Sequence, residues 1–261
     1  MNRFLCTAFF SLLFSQTLLA ADWKLVNETV RSERTSPNLI YVKRIVQLVP
    51  GRTATFELTF FRSAECRLDV IDLPRRSSLN GSALSAKFRE RSCLAGVNGG
   101  FFAPDHQPLG LVVSNGTRTN RISSSKLLSG VVYSDHKGIH IVRRSAFRDH
   151  SKINALLQSG PYLVEHANAI RGLEATKSRR RTFIATDWRG NWAIGVTSSV
   201  TLADLAQILA SSSPVTGWKV NRAINLDGGS STGFYFDRAT ESDIASPPWK
   251  PVRNLLGVRP K

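Results

Sequence analysis

Two places in the chain set a polar side chain directly ahead of paired glycines, Asn98-Gly99-Gly100 and Asp227-Gly228-Gly229. Adjacent glycines permit positive φ, let backbone come close to a ligand and line up consecutive N–H groups that receive an anion. A side chain fixed just before such a turn is aimed: an amide that donates and accepts at 98, a carboxylate at 227. The plainer reading is an Asx side chain closing its own turn. Ser230 and Ser231 follow Asp227 without the flanking glycines of a nucleophile elbow, and read as hydrogen-bonders. His136 and His140 are four apart where a turn enters a strand, a context that does not reproduce a helical metal pair. No metal or cofactor is expected, although Asp227 with neighbouring carbonyls leaves calcium open. Lys177 and Arg179, in the run Lys177-Ser178-Arg179-Arg180-Arg181, read as solvated surface charge, Arg180 is undecided, and Glu165 reads as exposed.

The elements around these turns follow from periodicity. Residues 22–73 alternate apolar and polar, as in Ala54 to Phe60 and Cys66 to Ile71, a strand signal. Ser82 to Arg91 carries Leu84 and Phe88 four apart and reads as a short helix leading into the apolar strand Leu94 to Val97. Leu202 to Ala210 is the clearest helix, with Thr201 as N-cap, Asp204 in the first turn and Leu202, Leu205, Ala206 and Leu209 on one face. It feeds the strand Arg222 to Leu226. Further strands are read at 109–113, 130–133 and 138–142, and a surface loop at 242–251. The plan helix, apolar strand, polar residue, two glycines therefore occurs twice. It places Asn98 and Asp227 at strand ends, and the expected fold is α+β (mixed α/β), one domain with a mixed sheet flanked by helices.

Residues 1–21 read as a cleavable secretory signal, with Arg3, an apolar run from Phe4 to Leu19, and Ala20 or Ala21 at the cut. The expected location is periplasmic or secreted, with residues 22–89 a strand-rich part of the same domain as 90–261. Cys66 and Cys93 would remain in an oxidising compartment, where a disulfide is expected. Cleavage removes the single charge of Arg3 from a net +16. Export turns so basic a chain away from nucleic acid and toward phosphorylated glycans or lipid head groups, with plain solubility an equal explanation.

Val97-Asn98-Gly99-Gly100-Phe101-Phe102, Gln158-Ser159-Gly160-Pro161-Tyr162-Leu163-Val164, Arg181-Thr182 and Ile224-Asn225-Leu226-Asp227-Gly228-Gly229-Ser230-Ser231 occur in that order. Together they resemble the phosphodiester glycosidase domain family over roughly residues 90–260. The resemblance implies an exported hydrolase acting on a sugar-1-phosphodiester or related envelope glycan, with functional roles for Asn98, Gly160, Arg181 and Asp227. On that basis Asp227 is expected to act as base or cation stabiliser, Arg181 to clamp phosphate, and Asn98 to hold sugar hydroxyls or an N-acetyl group. Gly99, Gly100, Ser159, Gly160, Thr182, Gly228, Gly229 and Ser230 are expected to line the substrate. A phosphate monoester is already a good leaving group, so the usual pair of carboxylates is not required. The alternative is a non-catalytic module that binds anionic, phosphorylated envelope glycans in the same pocket.

Overall fold

The computed structural model describes residues 23–35, 37–48, 51–211, 214–239 and 241–261; the signal segment read at 1–21 lies outside them. The chain runs β1 (Trp23–Thr35), β2 (Asn38–Leu48), β3 (Arg52–Arg62), β4 (Cys66–Asp72), α1 (Gly81–Arg89) and β5 (Ala95–Asn98). There follow β6 (Val112–Ser114), β7 (Thr117–Thr119), β8 (Gly130–Asp135), β9 (Gly138–Arg143), β10 (Ala155–Ser159), β11 (Tyr162–Glu165) and β12 (Asn168–Ala169). The last part holds β13 (Arg179–Thr186), β14 (Asn191–Val200), α2 (Leu202–Ala210), β15 (Arg222–Asn225), β16 (Phe234–Phe236), β17 (Ile244–Ser246) and β18 (Asn254–Pro260).

These strands form three sheets, ordered β1-β2-β3-β14-β13-β15-β11-β12, β7-β6-β10-β8-β9 and β17-β16-β5-β18-β4. Neighbouring strands pair antiparallel, as in β2 with β3 (Val42 opposite Leu58), β13 with β15 (Ile184 opposite Ile224) and β5 with β18 (Val97 opposite Leu256). One apolar core is shared by inner faces of all three, joining Tyr41, Val70, Val97, Val132, Leu157, Ile194, Ile224 and Phe236.

The expectation of a mixed sheet flanked by helices is therefore wrong. The two helices were read correctly: Asn80 caps α1 by accepting from Ala83 N, and Thr201 caps α2 by accepting from Asp204 N. They are nine residues each and are not crossovers between parallel strands. α2 lays Leu205, Ala206 and Leu209 on the outer face of the large sheet against Phe56, Val164 and Phe183. α1 lays Leu84 and Phe88 on the outer face of the β4-bearing sheet, with Phe88 stacked on Tyr235 at 4.9 Å. The doubled helix–strand–turn plan is real, but β5 and β15 belong to different sheets. Short-range patterning reports each strand and is silent on which sheet will receive it.

The N-terminal strands β1 to β3 are continuous with the large sheet, because β3 pairs with β14 from Phe56–Thr197 to Arg62–Asn191. The loop read at 242–251 contains the short strand β17, paired with β16.

The disulfide expected between Cys66 and Cys93 is absent: both cysteines are buried and free. Cys66 joins the shared core with Leu68 and Val70, whereas Cys93 packs with Phe88, Ile71 and Leu255 on the opposite face of the same sheet. Burial raises both thiols to about 12, so neither is a ready nucleophile for exchange. No helix among the described residues is long and apolar enough to cross a membrane.

Candidate active site

β5 ends at Asn98, and β15 ends two residues before Asp227. The two glycine turns that follow are hydrogen-bonded to each other. Asn98 Nδ2 donates to the Asp227 carbonyl oxygen at 2.7 Å, and Asp227 N donates to the Gly99 carbonyl oxygen at 3.0 Å. Asn98 Oδ1 accepts from Thr182 Oγ1 at 2.6 Å and from Gly233 N at 3.1 Å. Both polar atoms of its side chain are thus engaged within the protein, and the residue is 1% exposed. It ties β5, β13, β16's approach and the Asp227 turn together.

Asn254, at the start of β18, completes the junction. Its Oδ1 accepts from Gly100 N at 2.7 Å, and its carbonyl accepts from Gly99 N at 2.9 Å. A Cβ on Gly99 would lie 2.0 Å from that Oδ1, so only glycine fits there. The first turn consequently spends its amides inside the protein and offers no anion-binding nest. The second turn differs. Gly228 N donates to Asp227 Oδ1 at 2.8 Å, while the amides of Gly229 and Ser230 have no partner among the described residues.

Asp227 is the chemically interesting group. Burial pushes its carboxyl above the usual carboxylate range, partly countered by hydrogen bonds from Ser231 and Gly228. Ser230 and Ser231 open onto a cavity of about 340 Å³ that is also lined by Arg76, Phe102, His106 and Lys250. His106 Nε2 lies 3.0 Å from the Leu73 carbonyl oxygen, which can only accept, so Nε2 carries the proton. The backbone amides of Trp249 and Lys250 donate to the Ser230 carbonyl oxygen at 2.8 and 3.3 Å, pinning the cationic strap to the turn.

The remaining expected residues separate into packing and site. Ser159 is fully buried and donates from Oγ to the Asn225 carbonyl oxygen at 3.0 Å, joining β10 to β15. Gly160 is needed because a Cβ would meet the Leu127 carbonyl oxygen at 2.2 Å. Thr182 is buried and serves Asn98. Arg181 does not reach Asp227: its Nε donates to the Val200 carbonyl oxygen at 3.0 Å and its Nη2 to the Lys177 carbonyl oxygen at 2.6 Å, with Glu174 3.8 Å away. Arg180 takes the other side, its guanidinium 4.6 Å from the Trp249 ring centre. Glu165 is bound bidentately by Arg143.

His106 and Asn254 were not singled out by sequence reasoning, which read Ser231 only as a hydrogen-bonder and left Arg180 undecided. Asn254 carried the one available signal, an amide directly ahead of the apolar run Leu255 to Val258. Among the described residues no group of three or more His, Cys, Asp or Glu side chains could hold a metal. Asp227, with Oδ1 already taken by an N–H donor and no second carboxylate beside it, does not fit a calcium site.

The phosphodiester glycosidase sequence profile matches residues 91–259. The chain belongs to the phosphodiester glycosidase family. A comparison with curated proteins gives no match. Among solved structures, the catalytic domain of zebrafish N-acetylglucosamine-1-phosphodiester alpha-N-acetylglucosaminidase, auto-inhibited by its pro-peptide, is similar with a TM-score of 0.63 at 17% identity, over 90% of this chain and 88% of that one. A hypothetical protein from Synechocystis is similar with a TM-score of 0.56 at 15% identity, over 90% of this chain and 68% of that one. A protein from Burkholderia pseudomallei gives 0.54 at 12% identity, over 84% and 74%. At these identities the likeness is one of fold. The likeness covers 84–90% of this chain and so extends beyond the segments that carry the motifs.

Proposed function

We propose that this chain is an exported hydrolase that cleaves a sugar-1-phosphodiester, with the reaction centred on Asp227. The carrying observation is a desolvated carboxylate at the head of a turn whose Gly229 and Ser230 amides have no partner among the described residues, and whose Ser230 and Ser231 line a cavity shared with two cations, Arg76 and Lys250. A carboxylate whose affinity for protons is raised by burial works as a base closer to neutral pH than an exposed one does. In the proposed step water attacks the anomeric carbon and gives its proton to Asp227. The bond from that carbon to the phosphate oxygen breaks, and its electron pair leaves with the phosphate.

The leaving phosphate monoester needs no proton from an acid, which agrees with a single carboxylate at the turn. Free amides and cations hold the charge that develops on it. Asn98 is a positioning residue here: it fixes the carbonyl of Asp227, and through it the direction of the carboxylate. Arg181 is likewise assigned a positioning role, holding the strand that carries Thr182. The expected location is the periplasm or the medium, supported by the N-terminal signal pattern and the basic charge.

The test is release of free sugar from the methyl phosphodiester of N-acetylglucosamine 1-phosphate, followed chromatographically. Binding without release from this and other sugar-1-phosphodiesters would instead favour a glycan-binding module.

A further inference from the structure

The loop between β7 and β8, residues 120–129, presents two aliphatic side chains to solvent, each next to a cation. Ile122 is 47% exposed and follows Arg121, and Leu127 is 41% exposed and follows Lys126. The loop is held firmly in that posture. Gln158, 2% exposed and part of the second motif block, spends its whole amide on this part of the chain. Its Oε1 accepts from Ser123 N at 2.7 Å and from Leu111 N at 3.2 Å. Its Nε2 donates to the Ser123 and Leu128 carbonyl oxygens at 2.7 and 3.1 Å. Arg144 Nη1 donates to the carbonyl oxygens of Ser123 and Ser125. Buried hydrogen bonds therefore fix the backbone on both sides of Ile122 while its side chain stays in water.

Ile122 lines a cavity of about 620 Å³, to which the buried Leu111 and Phe147 contribute further apolar surface. Arg118, Arg121, Arg144 and Arg148 line the same cavity, against a single acid, Asp149. Arg118 donates to both oxygens of Asp149, at 3.1 and 2.8 Å, which leaves three cations unopposed. The Arg121 guanidinium has no partner among the described residues. Arg144 and Arg148 bond only backbone carbonyls, each through Nη1 alone. Residues 109–128 contain no Asp or Glu. Apolar surface bordered by unopposed cations matches an amphiphile with an anionic head. A free phosphate would leave the apolar part unused. A second copy of the chain, meeting this face across a twofold axis, would set arginine against arginine.

We propose that this face docks the protein on an anionic phospholipid bilayer: Ile122 and Leu127 enter the boundary of the acyl chains, and Arg121, Arg144 and Arg148 meet lipid phosphates. An anionic leaflet attracts cations held near it, guanidinium pairs its donors with phosphate oxygens, and the aliphatic side chains leave water as they enter. Docking does not rest on the reaction proposed at Asp227.

The mature exported protein is sedimented with vesicles of phosphatidylglycerol and phosphatidylcholine in equal parts, and with vesicles of phosphatidylcholine alone. The expected result is binding to the anionic vesicles that is at least about tenfold weaker on the neutral ones. Arg121→Gln should weaken it about fivefold and Ile122→Ser about tenfold, each with an unchanged melting temperature. Lys219→Gln, which removes an exposed cation outside this loop and cavity, should change it by less than about twofold. Absence of binding to anionic vesicles would overturn the proposal. So would equal losses in Arg121→Gln and Lys219→Gln, which would show that net charge alone attracts the bilayer. Undiminished binding of Ile122→Ser would overturn the apolar contact. A dimer in sedimentation velocity that Ile122→Ser dissolves would assign the face to a second copy and overturn the lipid reading.

Discussion

Asn98 and Asp227, 129 residues apart in sequence, hold each other's turns in place: the Asn98 amide donates to the Asp227 carbonyl oxygen at 2.7 Å, and the Asp227 N–H answers at the Gly99 carbonyl oxygen at 3.0 Å. This junction joins β5, in the sheet beside α1, to β15, in the large sheet. The carboxylate of Asp227 therefore stands where two sheets meet.

Asp227→Asn should fold and lose activity by about three orders of magnitude if the carboxylate is the base. The sign of its effect on stability is opposite. A carboxyl whose proton affinity is raised by burial stabilises the fold when protonated, and that contribution is lost as pH rises through its titration range. The asparagine variant should therefore melt at or above the wild-type temperature at neutral pH. Wild-type activity should fall on acidification at a pH above the ordinary carboxylate range. A fully active Asp227→Asn enzyme would remove Asp227 from the chemistry.

Asn98→Ala strands three buried groups, the Asp227 carbonyl, Thr182 Oγ1 and Gly233 N. The cost should be about 3 kcal/mol, read from urea unfolding. Asn98→Asp keeps the acceptor but turns a carboxylate toward the Asp227 carbonyl oxygen, and should be at least as damaging. A change below about 0.5 kcal/mol in the alanine variant would contradict this account.

The thiols of Cys66 and Cys93 should both titrate with a thiol reagent in denaturant and resist it in the native state. Reductant should leave the melting temperature unchanged. A mature protein with no free thiol after unfolding would show that the bridge forms despite the intervening sheet.

Arg143 grips Glu165 with two hydrogen bonds and lowers its proton affinity, so this pair adds stability at neutral pH that disappears as acid protonates the folded carboxylate. Both side chains are partly exposed, at 33% and 24%, which limits the effect to about 0.5–1 kcal/mol. Glu165→Gln should lower stability by that amount at pH 7, and the difference should close at strongly acidic pH. A difference that persists in acid would point to packing instead of charge.

Both helices, their caps and most strands could be read locally, because capping and the 3.6- or 2-residue periods are properties of neighbouring residues. The four motif blocks likewise marked the segments that converge, including Thr182 and both glycine turns. The contacts that several of these residues make were not legible. Asn98 looked like a substrate donor, but each of its polar atoms is used within the protein. Arg181 carried the motif, yet its guanidinium binds the Val200 and Lys177 carbonyls while Arg180 lines a cavity with Trp249. The β-bulge between Arg179 and Arg181 contributes to this difficulty, since it breaks the alternation by which a strand assigns faces.

The amino-acid sequence by itself determined the helices, the strand-end turns and the order of the motif blocks, since each depends on residues within a few positions of one another. Tertiary structure alone decided that the sheets are antiparallel, that Cys66 and Cys93 lie on opposite faces, and that Asn98 supports Asp227. Those relations depend on strand pairing across many tens of residues, where the same local pattern is compatible with more than one partner.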